Sequence, residues 1–545
     1  MVTEQLNSRL QHLSAAARKG LFQQIRRGLE KETLRITPTG RISQRQHPKA
    51  LGSTLTNPHI TTDYSEALME YITPVDIDRQ HTLDFLQDLH RFTFKRLDDN
   101  ELLWPMSMPC RLDGNDSIRI AEYGTSNVGR MKYVYRRGLD VRYGRIMQAI
   151  AGIHYNLSFP DELWPLLAEY AGVAQQDSSA FQSDRYFALI RNFRRHSWLL
   201  LYLFGASPVV DQSFLAAHPD HGLEAIGPDT FGLPHATSLR MSDLGYQNEA
   251  QSDLHVCFNT LDNYVNTLTQ ATQTPYGPYQ ELGVRDAQHQ YQQLNTSILQ
   301  IENEYYSDIR PKRVARSGQK PSEALAHGGV EYIEVRCLDI NPFLSGGIDV
   351  EQMRFLDVFL LFCLLADSPE ISDEECQALD ANKLVVARQG RHPETRLSID
   401  GHSLPLATAG HQLCDHLEAI AVLMDQGASI DQGTSIDQET PQADIKTPFQ
   451  AALAEMRARL DHPERTPSAR LVELARTQGH LATGLQLAQA QHDTMGSNPI
   501  DQGRGALFAQ QAQNSLVEQA NIEASDTVDF DTYLADYFGQ AVVAS

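Results

Sequence analysis

The sequence has few cysteines, no CxxC pair and no long apolar run. Six cysteines occur in 545 residues, and the closest two are Cys363 and Cys376. This usage is typical of reduced, mostly buried thiols and excludes a disulfide scaffold. No stretch reaches the roughly 18 uninterrupted apolar residues of a membrane-spanning helix, and the N-terminus lacks the apolar segment of a secretory signal. We therefore expect a soluble, cytoplasmic protein.

Positive charge is also scarce. Lys and Arg number 46 against 69 Asp and Glu, which gives a formal net charge of −23. Such a field repels nucleic acid and anionic membranes, so we expect neither as a partner. A phosphate-bearing ligand would need a site that is locally basic or neutralised by metal ions. Hydrophobic residues at 41% and charged residues at 21% are ordinary for a globular protein.

Several widespread catalytic signatures are missing. The chain has no GxxxxGK[ST] loop, no strand-linked GxGxxG, no HExxH and no GxSxG. The segment 123–127, YGTSN, resembles the last of these only loosely because its second glycine is absent. The pattern therefore disfavours a serine hydrolase.

Apolar residues at helical spacing predict helices over 1–20, 82–97, 184–204, 250–272 and 350–366. The composition changes at 424–446, where Ser-Ile-Asp-Gln occurs twice, at 429–432 and 435–438. Because this segment has no apolar face, we interpret it as an exposed polar insertion of low complexity. The remaining residues, 447–545, are rich in Ala, Gln and Leu, which predicts a helical cap rather than a catalytic centre.

Polar residues of similar chemistry alternate with apolar ones in several β-like segments. Alternation places the polar side chains of each strand on one face. The same pattern is typical of any half-exposed antiparallel strand, so each segment alone also fits a strand that faces water. The polar residues concerned are Glu30 and Glu32, Asp63 and Glu70, His154, Asn156 and Ser158, and Glu334 and Arg336.

If these faces converge, several carboxylates would lie beside His154. Like charges about 4 Å apart repel by about 4 kcal/mol at an effective dielectric of 20, so divalent cations would be the natural neutralisers. Ligation by many oxygens and one imidazole suits Mg²⁺ or Mn²⁺ better than zinc. A basic cluster, Arg310–Arg313 followed by Arg316, is a candidate phosphate contact, although it also fits a solvated loop.

Nine segments, in order along about two-thirds of the chain, together resemble glutamate–cysteine ligases of the proteobacterial type. They are GLEKETLRI (28–36), ITTDYSEALMEYITP (60–74), WPMSMPC (104–110), YGTSNVGRMKYVYRRGL (123–139), GIHYNLS (152–158), YLFGASP (202–208), ATSLRMSDLGY (236–246), QIENEYYSDIRPKR (300–313) and GVEYIEVRCLDINPF (329–343). The resemblance implies a catalytic core over 1–370 with a looser continuation over 371–423. The insert at 424–446 and the helical region at 447–545 would follow.

The fold implied by this resemblance is α+β. A curved, mostly antiparallel sheet, similar to the catalytic fold of glutamine synthetase, would have helices packed outside it and a helical C-terminal region. The resemblance implies one metal site formed by Glu32, Asp63 and Glu70, and a second group of metal ligands formed by Glu30, His154 and Glu334. Arg336 resembles the family arginine that contacts the transferred phosphoryl group.

The resemblance also implies an activity: ATP-dependent ligation of L-glutamate to the amine of L-cysteine through a γ-glutamyl phosphate. The cofactor would be Mg²⁺, with Mn²⁺ as an alternative, and the protein would act as a monomer. Two other interpretations stay open, a similar ligase with another amine acceptor and a non-catalytic, metal-stabilised scaffold. By the same resemblance, Lys312 and Arg313 would contact phosphate. The residues that bind the amino-acid substrates would be Tyr135, Arg136, Leu139, Gln148, Arg240, Tyr246 and Tyr306, with Tyr305 as the alternative to Tyr306.

Overall fold

The computed structural model describes residues 4–98, 100–174, 178–217, 220–245, 250, 254, 256–316, 319–428 and 447–539. Its helices are α1 Glu4–Ala17, α2 Arg79–Phe94, α3 Asn127–Tyr143, α4 Leu163–Ala171, α5 Ser178–His196, α6 Trp198–Phe204, α7 Leu261–Ala271, α8 Gly277–Leu282, α9 Pro321–Gly328, α10 Val350–Leu365, α11 Asp373–Gln389, α12 Leu406–Ala428, α13 Pro448–Asp461, α14 Pro467–Ser497, α15 Gln502–Ser525 and α16 Phe530–Phe538. No helix of these described ranges is long and apolar enough to cross a membrane.

An antiparallel sheet organises the molecule. The strands of the described residues are β1 Arg26–Ile36, β2 Ile60–Thr62, β3 Leu68–Ile72, β4 Leu102–Leu103, β5 Ile153–Ser158, β6 Val209–Asp211, β7 Glu224–Gly227, β8 Thr230–Gly232, β9 Ile309–Lys312, β10 Tyr332–Leu338, β11 Arg396–Ile399 and β12 His402–Pro405. The main sheet has the strand order β2-β3-β1-β5-β10-β9, and β4 pairs with the far end of β1. A three-stranded sheet, β6-β8-β7, and a hairpin, β11-β12, are separate from it.

The register of this sheet aligns the polar residues of neighbouring strands. Glu32 of β1 lies opposite Glu70 of β3, and Glu30 lies opposite His154 of β5. Glu334 of β10 lies opposite Asn156, two residues beyond His154. Since residues directly opposite each other point to the same side of a sheet, the polar faces predicted separately form one continuous face.

The other face of the sheet packs against helices. The Tyr155 hydroxyl donates to Asp357 Oδ1 at 2.7 Å, and Arg79 Nε donates to Asp357 Oδ2 at 2.7 Å. Arg27 also donates to this carboxylate, which lies in the buried helix α10. A buried carboxylate is tolerated only with such partners. This network fixes β1 and β5 from behind and so holds Glu30 and His154 in place on the front face.

Two sequence-based boundaries need correction. The helix expected over 250–272 is not continuous: Ala250 is helical, residues 254 and 256–260 are not, and α7 begins at Leu261, where the Thr260 side chain accepts from Asn263 N and caps the helix. Helix α12 extends to Ala428, so the first residues of the expected polar insertion are helical, and Met424 is buried. The rest of that insertion, 429–446, lies outside the described residues.

The C-terminal helices pack directly on the rest of the molecule. Phe508 of α15 makes edge contacts with Phe85 and Phe92 of α2, with ring centroids 5.1 and 5.5 Å apart. One hydrophobic cluster runs from Leu6 to Phe508. The predicted helical character of this region is confirmed, whereas the division of the chain at residue 370 stays a prediction.

Candidate active site

The polar face of the sheet forms the floor of a cavity of about 1110 Å³. One helix wall is α3, whose cavity-facing residues repeat at helical spacing. The sequence-predicted residues in the lining are Glu30, Glu32, Asp63, Glu70, Tyr135, Arg136, Leu139, Gln148, His154, Arg240, Tyr306, Lys312, Glu334 and Arg336. Fold and register therefore bring together residues that are separated by up to about 300 positions in sequence.

Three side chains at the centre of the floor could hold a divalent cation. Ligand atoms of Glu30, His154 and Glu334 all lie within 4.8 Å of one another. His154 Nδ1 is 3.1 Å from Glu30 Oε2 and 3.6 Å from Glu334 Oε1. Asn156 Nδ2 donates to the second oxygen of Glu30 at 2.9 Å. Two carboxylates and one imidazole form a donor set that suits Mg²⁺ or Mn²⁺.

Basic side chains surround one member of this cluster. Glu334 Oε2 accepts from Arg336 Nη1 at 3.2 Å, and Lys312 Nζ is 3.4 Å from Glu334 Oε1. Burial alone would raise the pKa of Glu334, but Arg336, Lys312 and His154 hold the pKa of this carboxyl well below its ordinary value. Glu334 is thus ionised and available as a ligand at neutral pH.

A second acidic group lies at the β3 side of the floor. Burial, followed by the charges of Glu30, Asp63 and Glu32, raises the pKa of Glu70 well above its ordinary value. Burial also raises the pKa of Glu32, although His154 opposes this shift. A bound divalent cation would relieve the repulsion among these carboxylates.

Helix α3 contributes cations and aromatic rings to the opposite wall. The Arg136 guanidinium lies over the Tyr123 ring, 4.5 Å from its centroid. Its Nε donates to the Asp63 carbonyl oxygen at 2.5 Å, and its Nη2 is 3.9 Å from Asp63 Oδ1. The Arg136 side chain therefore extends from α3 towards the acidic group.

One predicted residue, Arg313, lies outside the cavity lining, and for a second, Tyr246, the prediction stays untested. The Arg313 side chain is absent from the cavity lining, contacts Gly328 and lies 3.8 Å from Glu331. Tyr246 falls among residues outside the described ranges. Lys312, by contrast, belongs to strand β9 rather than to a solvated loop, and β9 pairs with β10 so that Lys312 lies opposite Tyr332.

Both Tyr306 and its alternative Tyr305 line the cavity, whereas other residues of the lining were not predicted from the sequence, notably Lys132, Tyr533 and Tyr537. Lys132 lies one helical turn before Arg136, so helical spacing could have identified it. Burial, with the charge of Arg136, lowers its pKa to about 8. The two C-terminal tyrosines belong to α16, whose Phe530 ring lies 4.5 Å from the Arg130 guanidinium of α3. No local signal in the sequence places this last helix at the cavity.

Comparison with known proteins identifies the family. The family model described as glutamate-cysteine ligase matches residues 10–386. The glutamate–cysteine ligase of Azotobacter vinelandii is 47% identical over 541 residues, which cover 98% of each chain. The chain belongs to the glutamate–cysteine ligase family. A second family member, from Pseudomonas aeruginosa strain PAO1, is 46% identical over 538 residues and 98% of each chain.

Solved structures agree with this assignment. The glutamate–cysteine ligase of Francisella tularensis, crystallised in complex with AMP, matches with a TM-score of 0.86 and 36% identity. The match covers 94% of this chain and 97% of that chain. A bifunctional glutathione synthetase from Pasteurella multocida matches with a TM-score of 0.67 at 24% identity, covering 94% of this chain and 58% of that one, and supports the fold alone. The predicted family and the predicted α+β fold of a glutamate–cysteine ligase are confirmed.

Proposed function

We propose that the protein joins the γ-carboxylate of L-glutamate to the amine of L-cysteine, using ATP and forming γ-glutamylcysteine, ADP and phosphate. The observation that carries this proposal is the Glu30–His154–Glu334 cluster on the cavity floor of a chain that belongs to this family. A carboxylate is a poor electrophile, so the reaction needs a site that can hold triphosphate and carboxylate side by side. The acidic side chains of the floor, together with the basic side chains of Arg336 and Lys312 beside them, provide such a site.

The donor groups of the floor fit divalent cations of the Mg²⁺ type. Glu30, His154 and Glu334 would hold the metal ions that bind the ATP phosphates, whereas Glu32, Asp63 and Glu70 would form a separate site. The raised pKa of Glu70, caused by its burial and by Glu30, Asp63 and Glu32, supports this assignment because an uncompensated group of this kind favours a bound cation. When bound, the metal ions would supply positive charge to the phosphates and to the reacting carboxylate.

Arg336 and Lys312 would act on the transferred phosphoryl group. Both approach Glu334, at 3.2 and 3.4 Å, and both line the cavity. A guanidinium held in this way requires no reorganisation when negative charge develops on the phosphoryl oxygens. The γ-phosphoryl would move to a glutamate γ-carboxylate oxygen with departure of ADP, giving γ-glutamyl phosphate.

The cysteine amine would then attack the γ-carbonyl carbon and expel phosphate. Tyr135, Leu139, Gln148 and Tyr306 line the cavity and would surround the cysteine side chain, while Arg136 and Arg240 would bind substrate carboxylates. Tyr246 stays a further predicted contact. The proton released by the amine would pass to a carboxylate or to the departing phosphate. The protein's own cysteines have no role as nucleophiles in this sequence of steps.

We also propose that the protein works in the cytoplasm as a monomer, with no nucleic acid or membrane as partner. Its net charge of −23 and the free thiols of its cysteines support this environment. Size-exclusion chromatography with light scattering tests the monomer, and a mass near twice 61.1 kDa would contradict it.

The proposed activity is tested by incubating the purified protein with ATP, Mg²⁺, L-glutamate and a panel of amines. We expect phosphate release with L-cysteine to exceed that with ammonia or other amino acids, and mass spectrometry to identify γ-glutamylcysteine. Preference for another amine would favour the alternative ligase. No ATP-dependent product with any amine would favour a non-catalytic scaffold.

A further inference from the structure

Arg240 combines deep burial with access to the cavity. It lies in a short turn, Leu239–Met241, and is only 2% exposed, yet it belongs to the cavity lining. Its Nη2 donates to the main-chain oxygen of Arg336 at 2.8 Å. Its Nη1 is 3.3 Å from Met241 Sδ and 3.6 Å from Asp339 Oδ1. The guanidinium is therefore held by its surroundings before any substrate binds.

Asp339 is the carboxylate that compensates this buried cation. It directly follows β10 and is 2% exposed. Its Oδ2 accepts from the main-chain N–H of Ala206 at 2.8 Å and from Ser207 Oγ at 2.6 Å. These two donors fix the carboxylate, so its other oxygen faces Arg240. Removing one partner of a buried ion pair leaves the other uncompensated, which makes the position of Arg240 dependent on Asp339.

Gly152 limits the position of the same guanidinium from another direction. A Cβ at this residue would lie 2.2 Å from Arg240 Nη2 and 2.7 Å from its Cζ. The main-chain N–H of Gly152 donates to Glu32 Oε2 at 2.7 Å. Only a residue without a side chain can therefore bond Glu32 and contact Arg240 at the same time.

We propose that Asp339 and Gly152 are positioning residues that fix Arg240 to receive a carboxylate of L-glutamate. This inference rests on the proposed function. Of the two amino-acid substrates, we assign L-glutamate to Arg240 because of the neighbours of this side chain. Arg240 contacts Gly152, which hydrogen-bonds to Glu32, and it also contacts the main chain of Arg336. Arg240 thus lies beside the groups at which the γ-carboxylate reacts, so a cation there can hold another part of the same molecule.

Two substitutions displace Arg240 by independent routes. Gly152→Ala adds the clashing Cβ but keeps the N–H that bonds Glu32, whereas Asp339→Asn removes the compensating charge. A displacement of about 1 Å can cost about 100-fold in a positioned reaction, so we expect the KM for glutamate to rise at least about tenfold in each variant. The KM for ATP should stay within about twofold, because neither substitution changes a side chain that contacts Glu334.

Matched controls separate positioning from loss of stability. Gly277→Ala adds a Cβ that would have no heavy-atom neighbour within 4 Å. Asp88→Asn removes a buried carboxylate that pairs with Arg91 and Arg504, away from the cavity lining. We expect both controls to keep the glutamate KM, even where Asp88→Asn lowers the Tm. Calorimetric titration with L-glutamate should show the same weakening as the KM.

A double-mutant cycle decides between action through Arg240 and an unrelated effect. In an Arg240→Ala background, Gly152→Ala should raise the glutamate KM by no more than about twofold, since the group it displaces is gone. Additive effects, an unchanged glutamate KM in Gly152→Ala, or an equal rise in the ATP KM would each overturn the inference. Failure of the proposed function would instead appear in the unaltered protein as absence of γ-glutamylcysteine.

Discussion

His154 and Glu30 lie directly opposite each other on adjacent antiparallel strands, with His154 Nδ1 3.1 Å from Glu30 Oε2. Their backbones are fixed from behind, because Tyr155 on the other face donates to the buried carboxylate of Asp357. The position of a ligand pair on the cavity floor thus depends on packing within the helical layer. The contacts that hold these charged groups in place lie on the other face of the sheet, so they take up no space in the cavity.

Glu334→Gln should lower kcat/KM by at least about 100-fold while the Tm stays close to that of the unaltered protein. The amide keeps the shape of the side chain but loses the charge that Arg336 and Lys312 maintain. Glu331→Gln is the matched control, since Glu331 lies outside the cavity lining and its side chain is 48% exposed. Retention of more than about a tenth of the activity in Glu334→Gln would remove this residue from the proposed metal ligands.

Arg336→Lys should lower kcat with little change in the KM for glutamate. An interaction made mainly in the transition state affects kcat, and an ammonium cannot reproduce the planar fork of a guanidinium on a phosphoryl group. Arg354→Lys is a suitable control, because Arg354 pairs with Glu351 outside the cavity lining. Near-normal kcat in Arg336→Lys with a large shift in the Mg²⁺ requirement would indicate that Arg336 only supports Glu334.

In the metal-free protein, the contribution of Glu70 to stability should decrease as the pH rises. Burial and three nearby carboxylates raise the pKa of Glu70 well above 4.5 in the folded state. Its contribution to stability is therefore present below the unfolded pKa and is lost as the pH rises through the folded value. With EDTA present, we expect Glu70→Gln to have a Tm at least about 1 °C above that of the unaltered protein near pH 8, and a similar Tm near pH 4.

Thermal unfolding across this pH range provides the measurement, with Glu331→Gln as the exposed control. A Glu70→Gln variant that is less stable than the unaltered protein at every pH would contradict the proposed repulsion. Added Mg²⁺ should raise the Tm of the unaltered protein more than that of Glu70→Gln, since a ligand that binds only the folded state stabilises it.

Deleting residues 431–442 should leave activity and Tm nearly unchanged. The segment is polar and repetitive, and each doubling of loop length costs only about 0.6 kcal/mol. The deletion must begin beyond α12, because the end of this helix is closely packed. Gly427 lies so near α1 that a Cβ there would be 2.5 Å from the Ala17 main-chain oxygen. A deletion that includes Met424 and Gly427 is the destabilising comparison. Loss of turnover after the shorter deletion would show that the insert contributes to the site.

The sequence predicted the polar faces of β1, β5 and β10 because alternation at period two is a local property. It could not predict the register that places Glu32 opposite Glu70, since this depends on which strands pair and where their connections turn. The grouping of Glu32, Asp63 and Glu70 came from the family resemblance. Likewise, the contribution of Tyr537 to the cavity depends on how the final helix packs against α3, about 400 residues earlier in the chain.

Activation of glutamate as a γ-glutamyl phosphate can be tested by following the transfer of oxygen isotopes. L-glutamate carrying ¹⁸O in both γ-carboxylate oxygens is incubated with the protein, ATP, Mg²⁺ and L-cysteine, and the products are analysed by mass spectrometry. One carboxylate oxygen should leave with phosphate when the cysteine amine attacks, while the other stays in the amide. We therefore expect one ¹⁸O in inorganic phosphate and one in γ-glutamylcysteine. Phosphate without ¹⁸O, or label recovered in AMP, would contradict it.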